Sequence, residues 1–292
     1  WLKLQNYMFD VLYSNGVQYV LLGGDTNTVP HHGDPGGGCA SDFNFCGWQI
    51  PVGRFPADTP ADISNAMAKA MSPVSNGTDR VLFIPRRDEY GPTILEYRYL
   101  FEPYLVVDTN SNVYGGVAGE QFGAMNTHTI LWGRGHGYYL IPQWAPGWFT
   151  PTNNSIRPVG VNFGCSGAVF TWNDHPGEVH VNVVNGHSAY IASVQDVPAN
   201  SFDATFFSSY FVDGAAGPAI GDMMLLARST YYTLLGDPAF EIVSQEFKGR
   251  PRIGVRGTYS GASRSYNLST GTGYVEKVTS HIVSFNDCAW AI

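Results

Sequence analysis

Positive charge is scarce in this chain: 16 Lys and Arg stand against 24 Asp and Glu, for a net charge of −8. No basic cluster denser than Arg86-Arg87 occurs, which argues against a surface that follows a phosphate backbone, so no nucleic-acid partner is expected. Long apolar runs are missing too. None approaches the roughly 20 residues that cross a bilayer as a helix, so no membrane span is expected. No internal repeat or low-complexity tract is evident. The chain begins at Trp1 rather than Met and carries no charged-then-apolar leader of its own, so it reads as trimmed, with a signal or pro-segment expected upstream.

Cysteine is also sparse. Cys39 and Cys46 bracket a Gly-rich loop, and a local disulfide is the preferred reading there. Cys165 and Cys288 then remain unpaired, and one free thiol beside a His is what a cysteine nucleophile needs. What is abundant is glycine, at 34 residues, and aromatic side chains, at 14%. With 292 residues, that describes a loop-rich globular protein with room for one large α/β domain and a small appendage. Few lysines and many Trp, Tyr and Gly lean toward a secreted or cell-surface protein. Glycosylation-type triplets at Asn76, Asn153 and Asn267 add little to that.

Periodicity divides the chain. Residues 1–14 carry apolar groups at helical spacing and Gly16 marks the stop; 62–71 reads as a helix that Pro73 follows. Helices are also expected over 93–101, 202–210 and 219–235, with a mixed turn and helix over 115–125. Short runs of β-formers at 17–22, 81–84, 104–108, 129–132, 159–164 and 189–194 read as buried strands, and 50–55 is short and extended. Strands alternating with helices imply an α/β domain with a mainly parallel sheet. From about Ser244 the texture changes to alternation without helix signals, with strands expected at 252–259, 265–268, 274–278 and 282–285. The boundaries are therefore 1–243 for the α/β domain and 244–292 for a β-rich extension.

The stretch 128–170 stands out. Thr129-Ile-Leu-Trp132 runs into Gly133-Arg-Gly-His136-Gly137, and Val159-Gly-Val-Asn-Phe-Gly164 runs into Cys165-Ser-Gly167. In an open α/β sheet, ligands bind beyond the carboxyl ends of the strands. A His and a Cys presented from two such ends can meet in space, as a Cys/His nucleophile pair requires. The ordinary alternative for a lone Cys after an apolar run is a buried structural thiol.

Seven motifs then fall in order: Tyr19-Val-Leu-Leu-Gly-Gly-Asp-Thr-Asn-Thr-Val-Pro30, Ser41-Asp42, Pro51-Val-Gly-Arg-Phe-Pro56, Trp132-Gly-Arg-Gly-His-Gly137, Gly164-Cys-Ser-Gly-Ala-Val-Phe170, Ala189-Tyr-Ile-Ala-Ser193 and Leu235-Gly-Asp-Pro-Ala239. On these, covering about 17–243, the chain resembles the gingipain family of clan CD cysteine peptidases. The resemblance implies the caspase-like fold, a three-layer sandwich with a mainly parallel sheet. It implies Cys165 as nucleophile and His136 as its partner, with backbone N–H groups of Gly137 and Cys165 stabilising the oxyanion. It implies protein or peptide substrates and no required cofactor. The pocket would be lined by Val194-Gln195-Asp196 and by the turn 86–90, where Asp88 or Glu89 would receive a basic side chain. Arg86 and Arg87 adjoin those carboxylates, and a solvated charged turn is the bland reading. Three departures stand against the family pattern. Tyr138-Tyr139 follow the His motif, 175–187 shows no family pattern, and 244–292 is too short for a complete immunoglobulin-like domain.

Other chemistries were weighed. His31-His32-Gly-Asp34 with Cys39 and Cys46 fits no common zinc spacing. Asp34 and Asp42 offer loop carboxylates for a structural calcium, an ion the family often uses. Trp144, Trp148 and Trp172 would suit a sugar platform, but no carboxylate pair near His136 stands out for glycoside hydrolysis. The remaining alternative is a catalytically silent structural or adhesive module. Oligomeric state is not legible in the sequence.

Overall fold

The computed structural model describes residues 2–25, 28–31, 42, 50–71, 80–85, 106–109, 127–134, 157–169, 175–184, 186–197, 219–227, 231–240, 253–259, 262–268 and 283–286. The first element is α1 (Leu2–Tyr7), which widens into a π-helical turn over Met8–Tyr13. Gly16, at φ 74°, takes the left-handed conformation that closes a helix end. Eight strands follow along the chain: β1 (Val20–Gly23), β2 (Val52–Phe55), β3 (Arg80–Pro85), β4 (Val106–Thr109), β5 (Ile130–Arg134), β6 (Val159–Asn162), β7 (Ala189–Ser193) and β8 (Tyr232–Gly236). Among the described residues three helices lie between them: α2 (Pro60–Met71), α3 (Pro176–Asn182) and α4 (Ile220–Ala227).

The eight strands form one sheet in the order β1-β2-β8-β7-β6-β5-β3-β4. Every pairing is parallel except β7 with β8, which is antiparallel. Side chains alternate between the two faces, as the two-residue period of a strand requires. On one face Val81, Phe83, Ile130, Trp132, Val161, Phe163 and Ile191 pack with Ile220, Met223 and Met224 of α4. On the other, Phe55, Tyr190, Ala192 and Leu235 pack with Ala66 of α2 and Val181 of α3. Each fully buried large apolar side chain contributes about 1.5–3 kcal/mol. The result is the helix–sheet–helix sandwich expected of the caspase-like class. Rings of Phe83, Trp132, Phe163 and Tyr232 run in contact from β3 to β8, with centroids 6.5, 5.0 and 5.8 Å apart. They brace the strand tips from one side.

Two expectations change. Residues 219–235 are not one helix: α4 ends at Ala227, and Tyr232–Gly236 is a strand. Tyr231, Tyr232 and Thr233 are β-formers, and their pairing with β7 outweighs a helical period that merely continues. The region 175–187, which matched no pattern, holds α3. Beyond the large sheet, β9 (Ile253–Tyr259), β10 (Ala262–Leu268) and β11 (Val283–Asn286) form an antiparallel sheet in the order β10-β9-β11. The strand expected at 274–278 and the helices expected at 93–101, 115–125 and 202–210 lie outside the described residues.

Candidate active site

β6 ends at Asn162, whose Oδ1 accepts the Gly164 N–H at 2.8 Å and starts a tight turn. Two residues later Ser166 sits at φ 58°, the one non-glycine with positive φ among the described residues. A side chain in that left-handed region costs about 1–2 kcal/mol, so neighbouring contacts must hold it. They come from the residues that close β7. Ser166 N–H donates to Gln195 O at 3.1 Å and Ala168 N–H to Ser193 O at 2.8 Å. Ser193 Oγ donates to Gly164 O at 2.6 Å, and Ser166 Oγ to Asp196 Oδ1 at 3.0 Å. Gly167 must be glycine for a different reason. A Cβ there would lie 2.8 Å from Asn162 Nδ2 and 2.9 Å from the Ala192 Cβ.

This turn presents Cys165. Its thiol is free of any disulfide and only partly buried. Sγ accepts the Val197 N–H at 3.5 Å and donates to Val197 O at 3.8 Å. A sealed structural thiol or a link to Cys288 would look different.

The neighbouring strand carries the other half of the expected pair. β5 runs parallel to β6 with Gly133 opposite Asn162, and Phe163 N–H donates to Gly133 O at 2.9 Å. β5 is described to Arg134; His136 and Gly137, two and three residues further, lie outside the described residues. So do Asp88 and Glu89, just beyond β3, which pairs with β5 up to Pro85 opposite Arg134. Of the expected pocket loop, Asp196 is exposed and Gln195 half-buried, while Val194 is buried in the core with Ala168 and Ala192.

Asp42, one of the two carboxylates expected to offer a calcium ligand, has an arginine partner. Both carboxylate oxygens face Arg54, which donates from Nε at 2.7 Å and Nη2 at 2.8 Å, and both side chains are fully buried. Asp42 is the anion of a bidentate ion pair. Arg54 also donates to the carbonyls of Gly24 and Val29, at 3.1 and 2.7 Å, and so ties the segment after β1 to β2. Asp34 lies outside the described residues, and among those described no three His, Cys, Asp or Glu side chains gather to hold a metal ion.

Sequence reasoning missed what stands behind the turn. The Gly177 N–H of α3 donates to Gly167 O at 3.1 Å. His175 caps α3 by accepting the Glu178 N–H on Nδ1 at 3.1 Å, so its proton sits on Nε2. Burial pushes His175 down to about 3, which keeps the ring neutral and able to accept. The other end of α3 is held by Lys69 of α2, whose Nζ donates to Val181 O and, at 2.7 Å, to Val183 O. Burial first, then the charge of Arg157, lowers Lys69 to about 7. His180 and His187 complete this layer, stacked and edge-on against the Tyr190 ring at 5.2 and 5.4 Å. One signal was available: Pro176 with Glu178 two residues on is a helix start, with proline in the first turn and an acid beside the positive end.

The fold and the turn define an α/β sandwich that presents a free thiol beyond a strand tip. The model of peptidase family C25 matches residues 3–90. Among solved structures, the Arg-specific cysteine proteinase gingipain R superposes with a TM-score of 0.69 at 16% identity, covering 82% of this chain and 67% of that one. A second structure, described as a protease, gives 0.68 at 16% identity over 94% of this chain and 81% of its own. No curated protein sequence matches significantly. The chain is similar to peptidase family C25 over residues 3–90 and to gingipain R in fold over most of its length.

Proposed function

We propose that this protein is a cysteine endopeptidase with Cys165 as nucleophile and His136 as general acid–base. One observation carries the reading: a free, partly exposed thiol sits on a strained turn at the tip of β6, beside the parallel strand that leads to His136. In this mechanism the Cys165 thiolate attacks the substrate carbonyl carbon. The peptide N–H groups of Cys165 and Gly137 receive the oxyanion, and the His136 imidazolium gives its proton to the departing amine. A thioester acyl-enzyme remains. Water, deprotonated by His136, hydrolyses it and frees the thiol. No metal or organic cofactor is needed for these steps.

The exposed Asp196 carboxylate, one residue from Val197 at the thiol, supports a preference for a basic side chain before the cut, with Asp88 or Glu89 as further anions. A structural calcium, if one is bound, would fall to Asp34 and its neighbours. The composition supports action outside the cell.

The test is labelling by a peptidyl chloromethyl ketone ending in Arg, alongside cleavage of matching peptide amides. Wild type is labelled and cleaves; Cys165→Ala does neither, and His136→Ala loses turnover. Cleavage that persists in Cys165→Ala refutes the proposal. Absence of both labelling and cleavage in folded wild type would point to a silent module instead.

A further inference from the structure

Cys165 and the residues after β7 are paired more closely than substrate binding alone requires. The segment 193–197 meets the turn 164–168 in antiparallel sense: Ser193 reaches Gly164 and Ala168, Gln195 reaches Ser166, Asp196 reaches Ser166, and Val197 reaches Cys165. Four of these contacts brace the turn. The fifth lands on the sulfur.

A neutral thiol is a weak acceptor, whereas a thiolate is a full anion that gains from an N–H aimed at it. The Val197 N–H at 3.5 Å is therefore worth more once the sulfur carries charge, while the S–H donation to Val197 O at 3.8 Å holds the resting thiol in the same place. That N–H keeps its place because the residue before it, Asp196, is hydrogen-bonded to the residue after the nucleophile, Ser166. Ser166 reaches Asp196 from a backbone conformation that only a held turn sustains.

We infer that Val197 is a positioning residue for the nucleophile, its backbone N–H donating to the Cys165 thiolate, and that the Ser166–Asp196 hydrogen bond holds this donor in register. The inference deepens the peptidase reading and rests on it for any effect on turnover. Its effect on the thiol can be read without a substrate. It also gives Asp196 a function independent of substrate charge: an asparagine, which still offers Oδ1 to Ser166, serves that function, and an alanine does not.

The experiment is the rate of Cys165 alkylation by iodoacetamide as a function of pH on the full chain. Peptide mass mapping separates Cys165 from the other three cysteines. Val197→Pro deletes the N–H; alkylation at neutral pH should slow about tenfold, with the alkaline plateau retained. Ser166→Ala and Asp196→Ala should move the profile in the same direction by less, and Asp196→Asn should restore it. A folded Val197→Pro protein, native by near-ultraviolet circular dichroism, with the wild-type profile overturns the inference. If Val197→Pro does not fold, unshifted profiles in Ser166→Ala and Asp196→Ala overturn it equally. The two proposals fail separately. Cleavage surviving Cys165→Ala ends the peptidase reading and leaves the alkylation result standing, while an unmoved profile ends only the positioning role.

Discussion

Arg54 and Asp42 meet as a fully buried bidentate pair, with Nε and Nη2 at 2.7 and 2.8 Å from the two carboxylate oxygens. A buried pair of this kind adds little net stability over an apolar pair of the same shape, but breaking it strands a charge. Asp42→Asn should destabilise the protein by about 3–5 kcal/mol. The double change Arg54→Met with Asp42→Leu should recover part of that loss. Urea unfolding of the three proteins checks it. A single change that costs under about 1 kcal/mol would mean water replaces the carboxylate.

Gly167 seats the turn that bears Cys165 against the sheet. Its missing side chain leaves room for Asn162 and Ala192, and its carbonyl accepts from α3. Gly167→Ala overpacks this contact and should cost about 1–3 kcal/mol. Because the turn carries Cys165, the same variant should also lose turnover, chiefly in kcat, while a folded protein remains by circular dichroism. Unchanged kcat would show that the turn relaxes without moving the thiol.

The strand tips were legible for a simple reason. In β5 apolar residues continue without alternation from Ile130 to Trp132 until Gly133, and β6 is buried along its whole length, because parallel strands are covered on both faces. The same logic fails for β8. Its Leu234 and Leu235 are buried on opposite faces of the sheet, and they follow α4 after a gap too short to break a helical pattern. α3 was hidden because it is only seven residues long. One end is secured by His175 and the other by Lys69 of another helix, a contact that no local pattern encodes. The Arg54–Asp42 pair was not legible for the same cause: Asp42 alone looks like a loop ligand until its partner on β2 is known. The grip of 193–197 on Cys165 spans some 30 residues of sequence, and spacing alone does not reveal it.

Three buried imidazoles set the acid limit. Burial lowers His175 and His180 to about 3, and lowers His187 well below its ordinary value, with the charge of Lys69 adding to the effect on the last two. Unfolded, these rings titrate near 6.5, so from there down to about 3 the unfolded chain holds more protons than the folded one. Stability therefore falls as pH drops through that window. The expected result is a steep loss of the urea midpoint below about pH 6. His180→Phe, which keeps a ring against Tyr190, should flatten it. A midpoint that stays level to pH 4 would contradict the buried, neutral state.

Lys69 governs the other side of the pH scale. Its amine, between α2 and the end of α3, is lowered from 10.5 to about 7 by burial and by Arg157. Between these values the unfolded chain binds the extra proton, so stability should rise with pH from about 7 toward 10.5. Below about 7 both forms are charged and the burial penalty is present in full. The gain across the window is at most roughly 5 kcal/mol. Lys69→Met removes the titrating group along with the bonds to Val181 and Val183. Its stability at any one pH is therefore a mixture of relieved burial and two unanswered carbonyls. The informative quantity is the slope: wild type should climb from pH 7 to 10 while Lys69→Met stays flat beside it, with all other groups common to both. Because α3 donates from Gly177 to the turn that bears Cys165, alkylation of that thiol in Lys69→Met should change by less than about twofold if α3 is held mainly by its His175 end. A larger change would make Lys69 part of the support for the nucleophile.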